Sequence, residues 1–254
     1  MTTTTGGKRE RGEFLAGNPF PHPYTIGFFY REKMRAIHRI APDEAMGEIL
    51  EVGGGQGGLT KLLYPDARVT NLDMDPRFAE APVNRRDGVR FICGDATKIP
   101  FLDASFDAVT MFDVIEHVPD DAKAMSEAWR VLRPGGALLL STPRETWRFP
   151  HYRAMARFTP HEDELFAEWG HVRRGYSLQA LEALVGRRCD SWASFISAGT
   201  SLAHDLGWSR FPERVRRVLI TLVSPLTWGA YSLHRPHDEG AETAACWRKP
   251  VAGD

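Results

Sequence analysis

The chain has 254 residues, 43% of them hydrophobic, which is enough for one full three-layer core and does not demand a second domain. Thirty-two Lys and Arg against 33 Asp and Glu leave a formal charge of −1, so the basic face that a general nucleic-acid binder needs to displace counterions is missing. Cys93, Cys189 and Cys246 have neither disulfide-framework nor metal-ligand spacing, and a reducing, cytoplasmic setting is the simpler inference.

In chain order, the Thr- and Gly-rich opening lacks the apolar run of a signal peptide and predicts a disordered tail over residues 1–20, followed by a single domain over 21–254. Residues 26–40 have the spacing of an amphipathic helix, with Tyr24, Phe28, Phe29, Tyr30 and Arg31 grouped at its start. An apolar strand then ends on Glu51 and runs into Gly53, Gly54, Gly55 and Gln56 before a helix over 58–64. Strand, glycine turn and helix place backbone N–H groups beside a crevice where a nucleotide-like ligand can lie against the main chain. Glu51 would repel a pyrophosphate there but can pair with the ammonium of an amino-acid-bearing cofactor.

Gly53, Gly55 and Gly58 also satisfy Gly-x-Gly-x-x-Gly, so the glycines alone do not choose between a dinucleotide and another cofactor. A second strand over 67–72 closes on Asp73, placed to accept two ribose hydroxyls, while Asp75 before Pro76 has the pattern of a cap for a helix over 77–81. A third strand over 89–92 leads to Gly94-Asp95-Ala96, whose carboxylate can accept from an adenine amino group. Three acidic residues at successive strand ends favour S-adenosylmethionine.

Further on, strands near 107–112 and 137–141 flank a helix over 120–131, and the alternation implies a parallel sheet covered on both faces. Residues 143–175, rich in Pro, His, Arg and aromatics, predict a cap over the mouth of the sheet, with His151, Tyr152 and Trp169 as substrate-pocket candidates. Ser177 is positioned to cap a helix through Leu178, Leu181 and Leu184, and strands six and seven follow near 188–196 and 242–247. Between them lies an insertion, 197–238, with an arginine cluster at 214–217 and an apolar run to Leu233 broken by Pro225 and Gly229. About twenty apolar residues are needed to span a bilayer, so the run predicts helices packed on the sheet or on a second copy, or a surface helix touching membrane or a lipophilic substrate.

Read together, these motifs resemble the class I S-adenosylmethionine-dependent methyltransferases, particularly the small-molecule enzymes. Glu51-Val-Gly-Gly-Gly-Gln-Gly57, Asp73, Gly94-Asp95-Ala96, the segment Ser105 to His117, and Leu132-Arg-Pro-Gly-Gly136 follow one another at family spacing, and the likeness covers roughly residues 45–145. The resemblance implies a Rossmann-like α/β sandwich with a seven-stranded, mostly parallel sheet, an antiparallel last strand and cap insertions. It also implies S-adenosylmethionine held by Glu51, Gly53, Gly55, Gln56, Asp73, Met74, Asp95, Ala96, Phe112, Asp113 and Tyr30.

His117, directly after strand four, is the candidate general base, and it places O-methylation ahead of N- or C-methylation of a small-molecule acceptor. Its alternative role is to hydrogen-bond the loop and orient Glu116. Asp113, Glu116 and His117 are similar to a divalent-metal cluster of ubiquinone-pathway and small-RNA methyltransferases, but the same Glu-His pair occurs in metal-free relatives and no metal is expected. His171 falls in a segment that the resemblance makes structural. An NAD-dependent oxidoreductase would leave Glu51 and Asp95 unexplained, whereas a methyltransferase-like scaffold subunit would keep the same motifs.

Overall fold

The computed structural model describes residues 7–20 and 26–251. Its strands are β1 (Glu48–Val52), β2 (Arg68–Asp73), β3 (Val89–Cys93), β4 (Phe106–Phe112), β5 (Leu132–Pro143), β6 (Ser191–Phe195) and β7 (Glu242–Arg248). They form one sheet in the order β3-β2-β1-β4-β5-β7-β6. The first five run parallel, and β7 enters antiparallel between β5 and β6. The order reverses between β1 and β4, and in open α/β sheets the crevice beyond that switch point holds the ligand.

Alternation along the strands builds two cores. Ile49, Val69, Ala108, Leu139 and Ala244 face one side, where Phe14, Met34, Ile37 and Leu63 pack. Their neighbours Leu50, Val109, Leu138, Leu140 and Ala245 face the other, against Ala124, Met125, Ala128 and Leu181. Central parallel strands are covered on both faces and so read as near-continuous apolar runs. Each fully buried Leu or Ile contributes about 1.5–3 kcal/mol through the area it removes from water.

The helices on the first side are α1 (Arg11–Ala16), α2 (Ile26–Ile40) and α3 (Leu59–Leu63), and the other side carries α4 (Asp121–Val131). The Asp120 carboxylate accepts from the Lys123 N–H at 3.0 Å and starts α4. After β5 come α5 (Glu162–Trp169), α6 (Leu178–Val185), α7 (Ala198–Gly207) and α8 (Glu213–Leu233). Ser177 caps α6 through the Ala180 N–H, and Gly186 ends it at φ +78°.

The N-terminal segment corrects one expectation. Residues 11–16 are helical, with Phe14 fully buried and Leu15 7% exposed, so the stretch from 7 to 20 is folded against the core. Two apolar side chains in an otherwise polar stretch were too weak a periodic signal for a helix. Residues 1–6, and Tyr24, lie outside the described residues. The helix expected over 77–81 is a 3₁₀ turn, Pro76–Glu80, capped as anticipated by Asp75, which accepts from the Arg77 N–H.

The 143–175 cap contains α5, and the 197–238 insertion is the α7–α8 pair, with Pro225 inside α8 on its exposed side. No helix among the described residues is long and apolar enough to cross a membrane.

Candidate active site

The turn after β1 is tied to β2 by a hydrogen bond from the Gly53 N–H to Leu72 O (2.7 Å) and closes on itself through one from the Gly57 N–H to Gly54 O (2.9 Å). Gly53 sits at φ +66°, and a Cβ there would lie 2.6 Å from the Val114 side chain. Only glycine combines that backbone angle with that clearance. The cavity above the turn, about 530 Å³, is lined by Tyr30, Lys33, Glu51, Gln56, Phe112 and Asp113 together with the glycines.

Glu51 is 4% exposed, and its Oε1 accepts from the Thr60 N–H (3.2 Å) and Oγ1 (2.8 Å). Burial raises its pKa, with the Thr60 bonds and Lys33 acting against the rise. Asp73 stands at the end of β2 and accepts from the Gly55 N–H and the Asp75 N–H, both at 3.0 Å. Asp95 is exposed and accepts from the Thr97 N–H at 2.8 Å; Met74 is 78% exposed. Gly55, Asp73, Met74, Asp95 and Ala96 thus lie in the turn or near the neighbouring strand ends but outside the lining of this cavity. Arg31, grouped with Tyr30 in the sequence, turns away to Trp228, its guanidinium 5.7 Å from the ring centroid.

Asp113 is the pivot of the site. Directly after β4 it takes φ +53°, a conformation costly for a side chain unless its surroundings enforce it. Lys33 Nζ and Ser141 Oγ each reach its carboxylate at 2.5 Å, and its N–H donates to Ser141 O. Burial opposes the Lys33 charge, yet the Asp113 carboxylate holds the ammonium pKa above its ordinary value.

Asp113 also borders a second cavity, about 370 Å³, beneath the cap. Trp147, Phe149 and Trp169 come from the cap and Trp208 from the residue after α7; Glu116 and His117 follow β4, and Glu242 opens β7. Ile196, at φ +58°, lines it too, so two of the three non-glycine residues with positive φ among the described residues meet here. Glu116 is fully buried. Burial first, then the Asp113 charge, pushes its pKa up to about 8, while burial, Asp113 and Glu116 raise that of Glu242 well above the carboxylate range.

Imidazoles complete the wall. His151 Nδ1 meets Asp205 Oδ1 at 3.0 Å, and the His151 and Tyr152 N–H groups donate to the same carboxylate. The Tyr152 side chain itself points to the surface, 40% exposed, and donates to Ala198 O; it does not line the cavity. His117 Nδ1 lies 3.3 Å from Gly170 O, and its ring stands edge-on to His171 with centroids 4.6 Å apart. Burial and His117 lower the His171 pKa to about 4. His171 therefore faces the cavity beside His117 as a neutral ring, a placement its flanking sequence did not indicate.

Ligand atoms of Glu116, His117 and His171 lie within 4.8 Å of one another, close enough to share a cation. Asp113, grouped with that cluster in the sequence, is instead committed to Lys33.

Sequence reasoning missed Lys33, Glu242 and the tryptophans Trp147 and Trp208. For Lys33 a signal existed: it sits among Met34, Ala36 and Ile37 on a helix whose polar face lies elsewhere. For Glu242, which packs beside residues 126 positions earlier in the chain, no local pattern exists.

Residues 50–140 match the family described as a methyltransferase domain. Over 117 residues the chain is 38% identical to a probable S-adenosylmethionine-dependent methyltransferase of Mycolicibacterium smegmatis, the match spanning 46% of this chain and 46% of that relative's length. It is 29% identical to a demethylmenaquinone methyltransferase of Renibacterium salmoninarum, across 76% of this chain and 75% of the relative. Among solved structures, phosphoethanolamine N-methyltransferase 2 of Haemonchus contortus, in complex with S-adenosyl-L-methionine, shares the fold. Its TM-score is 0.59 at 18% identity, over 94% of this chain and 56% of that one.

Proposed function

Because residues 50–140 place this chain in the class I S-adenosylmethionine-dependent methyltransferase family, we propose that it transfers a methyl group from S-adenosylmethionine to a small-molecule nucleophile seated under the 143–175 cap. The observation that carries this reading is the meeting of two cavities at Asp113, one above the glycine turn and one beneath the cap.

The residues fit the cofactor. Gly53, Gly54 and Gly57 line the cavity with main chain and no side chains of their own, and the Glu51 oxygen not held by Thr60 remains for an ammonium. Tyr30, Gln56, Phe112 and Asp113 share that wall, and Asp73 and Asp95 are proposed for the ribose and adenine ends. When bound, the cofactor supplies a methyl group already activated on a sulfonium. The protein's task is then placement of the nucleophile, which can provide much of the acceleration.

A hydroxyl acceptor must also lose a proton, and His117 is the imidazole proposed to take it, with Nδ1 near Gly170 O and, among the described residues, no hydrogen bond at its other ring nitrogen. The Trp147–Phe149–Leu165 cluster of the cap sets apolar side chains beside it.

Calorimetry should show S-adenosylhomocysteine binding and no NAD binding; the reverse would overturn the reading in favour of an oxidoreductase. Labelled S-adenosylmethionine incubated with hydroxylated and amino metabolites should yield a labelled product, and His117→Ala should lose the acidic limb of the pH–rate profile, where the rate rises as a base gives up its proton, while keeping cofactor affinity. Cofactor binding with no product from any acceptor would make the chain a binding subunit.

The outward face of α8 supports a separate reading, contact with an anionic lipid surface. Val218, Leu222, Leu226 and Leu233 are 59–80% exposed, with Arg214 and Arg217 exposed at the N-terminal end of the same helix. Cosedimentation with phosphatidylglycerol vesicles, lost in Leu222→Asp, is the expected result. Absence of binding would overturn it, as would a homodimer in sedimentation that Leu222→Asp dissociates.

A further inference from the structure

The cavity beneath the cap holds more carboxyl groups than methyl transfer alone requires. Glu116 Oε2 accepts from Thr142 Oγ1 at 3.1 Å, while its Oε1 is buried without a hydrogen-bond partner. Glu242 is 5% exposed, and its Oε2 is likewise buried without a partner. No Lys or Arg lines this cavity among the described residues, and Lys33, which lines the cavity above the glycine turn, is committed to Asp113.

The imidazoles do not offset these carboxyls. His151 and His204 have carboxylates of their own, Asp205 at 3.0 Å and Glu32 at 2.9 Å, and His117 faces His171. Whatever charge the first two rings carry is balanced inside their own pairs.

Around Glu116 and Glu242 the walls are aromatic. Trp147 meets Trp169 at 6.0 Å and 61°, Trp169 meets Trp208 at 5.5 Å and 69°, and Phe149 lies at 14° to Trp147. The rings therefore present their surfaces in several directions around one space. The negative face of an aromatic ring attracts a cation, and buried carboxyl oxygens without donors can ionise and pair once a cation sits beside them. A neutral hydroxylated occupant could hydrogen-bond to the carboxyls but would gain nothing from the charge of a carboxylate or the quadrupole of the rings.

We propose that the acceptor is a cationic small molecule, an ammonium-bearing compound whose charged group sits between the Trp147, Trp169 and Trp208 rings and the free carboxyl oxygens of Glu116 and Glu242. This deepens the methyl-transfer reading and rests on it only for calling the occupant an acceptor; the charge preference belongs to the cavity itself.

The test compares two probes of similar size, tetramethylammonium chloride and tert-butanol, by calorimetry at constant ionic strength. The proteins are the wild type, Glu242→Gln and Trp169→Leu, with S-adenosylhomocysteine titrated in parallel. Tetramethylammonium should bind at least about tenfold more tightly than tert-butanol, and each substitution should weaken it by about fivefold or more. S-adenosylhomocysteine affinity should stay within about twofold in all three, because neither side chain lines the cavity above the glycine turn.

Equal affinity for the two probes, no binding of tetramethylammonium, or variants that bind it as the wild type does would overturn the proposal. Should Trp169→Leu fail to fold, Glu116→Gln supplies the second comparison. Failure of the wild type to bind S-adenosylhomocysteine would count against the family-level reading and leave the probe comparison intact.

Discussion

Glu116→Gln offers a stability experiment whose size follows from one buried side chain. The carboxyl is fully buried, and its pKa rises from an ordinary 4.5 to about 8, first through burial and then through the charge of Asp113. Between those two pH values the unfolded chain carries the carboxylate and the folded chain carries the neutral acid. A raised carboxyl pKa gives stability that is fully present below 4.5 and is lost as pH climbs to 8. At about 1.4 kcal/mol per pH unit the loss reaches roughly 2 kcal/mol at pH 6 and roughly 5 kcal/mol above pH 8.

Glutamine keeps the shape of the neutral acid and cannot ionise. Its stability advantage over the wild type should therefore grow by roughly 3 kcal/mol between pH 6 and pH 9, or about 6–12 °C in Tm for a chain of this size. Urea unfolding followed by circular dichroism at both pH values, without ligand, measures that difference. Glu242, His171 and the other titrating groups remain in both proteins and largely cancel. If the two pH–stability curves ran parallel, Glu116 would ionise alike in the folded and unfolded chains, and the reasoning would fail.

Lys33→Met should destabilise by roughly 3–5 kcal/mol because it strands the Asp113 carboxylate beside Glu116 and Glu242, and Asp113→Asn added to it should restore much of the loss in urea titrations. Gly53→Ala should weaken S-adenosylhomocysteine binding by about tenfold or more in calorimetry, since its Cβ would stand 2.6 Å from Val114 at φ +66°. In Gly175→Ala the new Cβ would lie 1.9 Å from the Pro143 carbonyl oxygen, so the segment joining the cap to α6 must shift. A loss of about 3 kcal/mol or more and rapid tryptic cleavage within 144–174 are expected; wild-type protease resistance would refute that account.

What could be read from the sequence divides by physical range. Strand ends and turns are local: Ile49-Leu50-Glu51 followed by glycines, Asp75 before Pro76, and Ser177 ahead of Leu178 each announce their structure within a few residues, and β1, the Asp75 cap and α6 appear where those patterns put them. The cap was legible only as an irregular stretch. The cavity beneath it is completed by Trp208 from beyond β6 and by Glu242 from β7, and nothing near either residue in sequence marks that destination. His117 and Glu116 were singled out, but the neutral ring of His171 beside them was not, because a contact between residues 54 positions apart depends on how the cap folds back. Burial of Glu116 and Glu242 is likewise a property of packing, and composition alone treats both as ordinary surface acids.

The position of β7 has a consequence for how the protein is made. Because β6 bonds to the sheet only through β7, the ribbon from Ser191 to Phe195 has no partner strand until residues 242–248 have left the ribosome. Until then the β5 edge also stands open, a template for pairing with other chains. The wall that Glu242 contributes to the cavity therefore forms only with the longest loop closure in the sheet, β5 to β7.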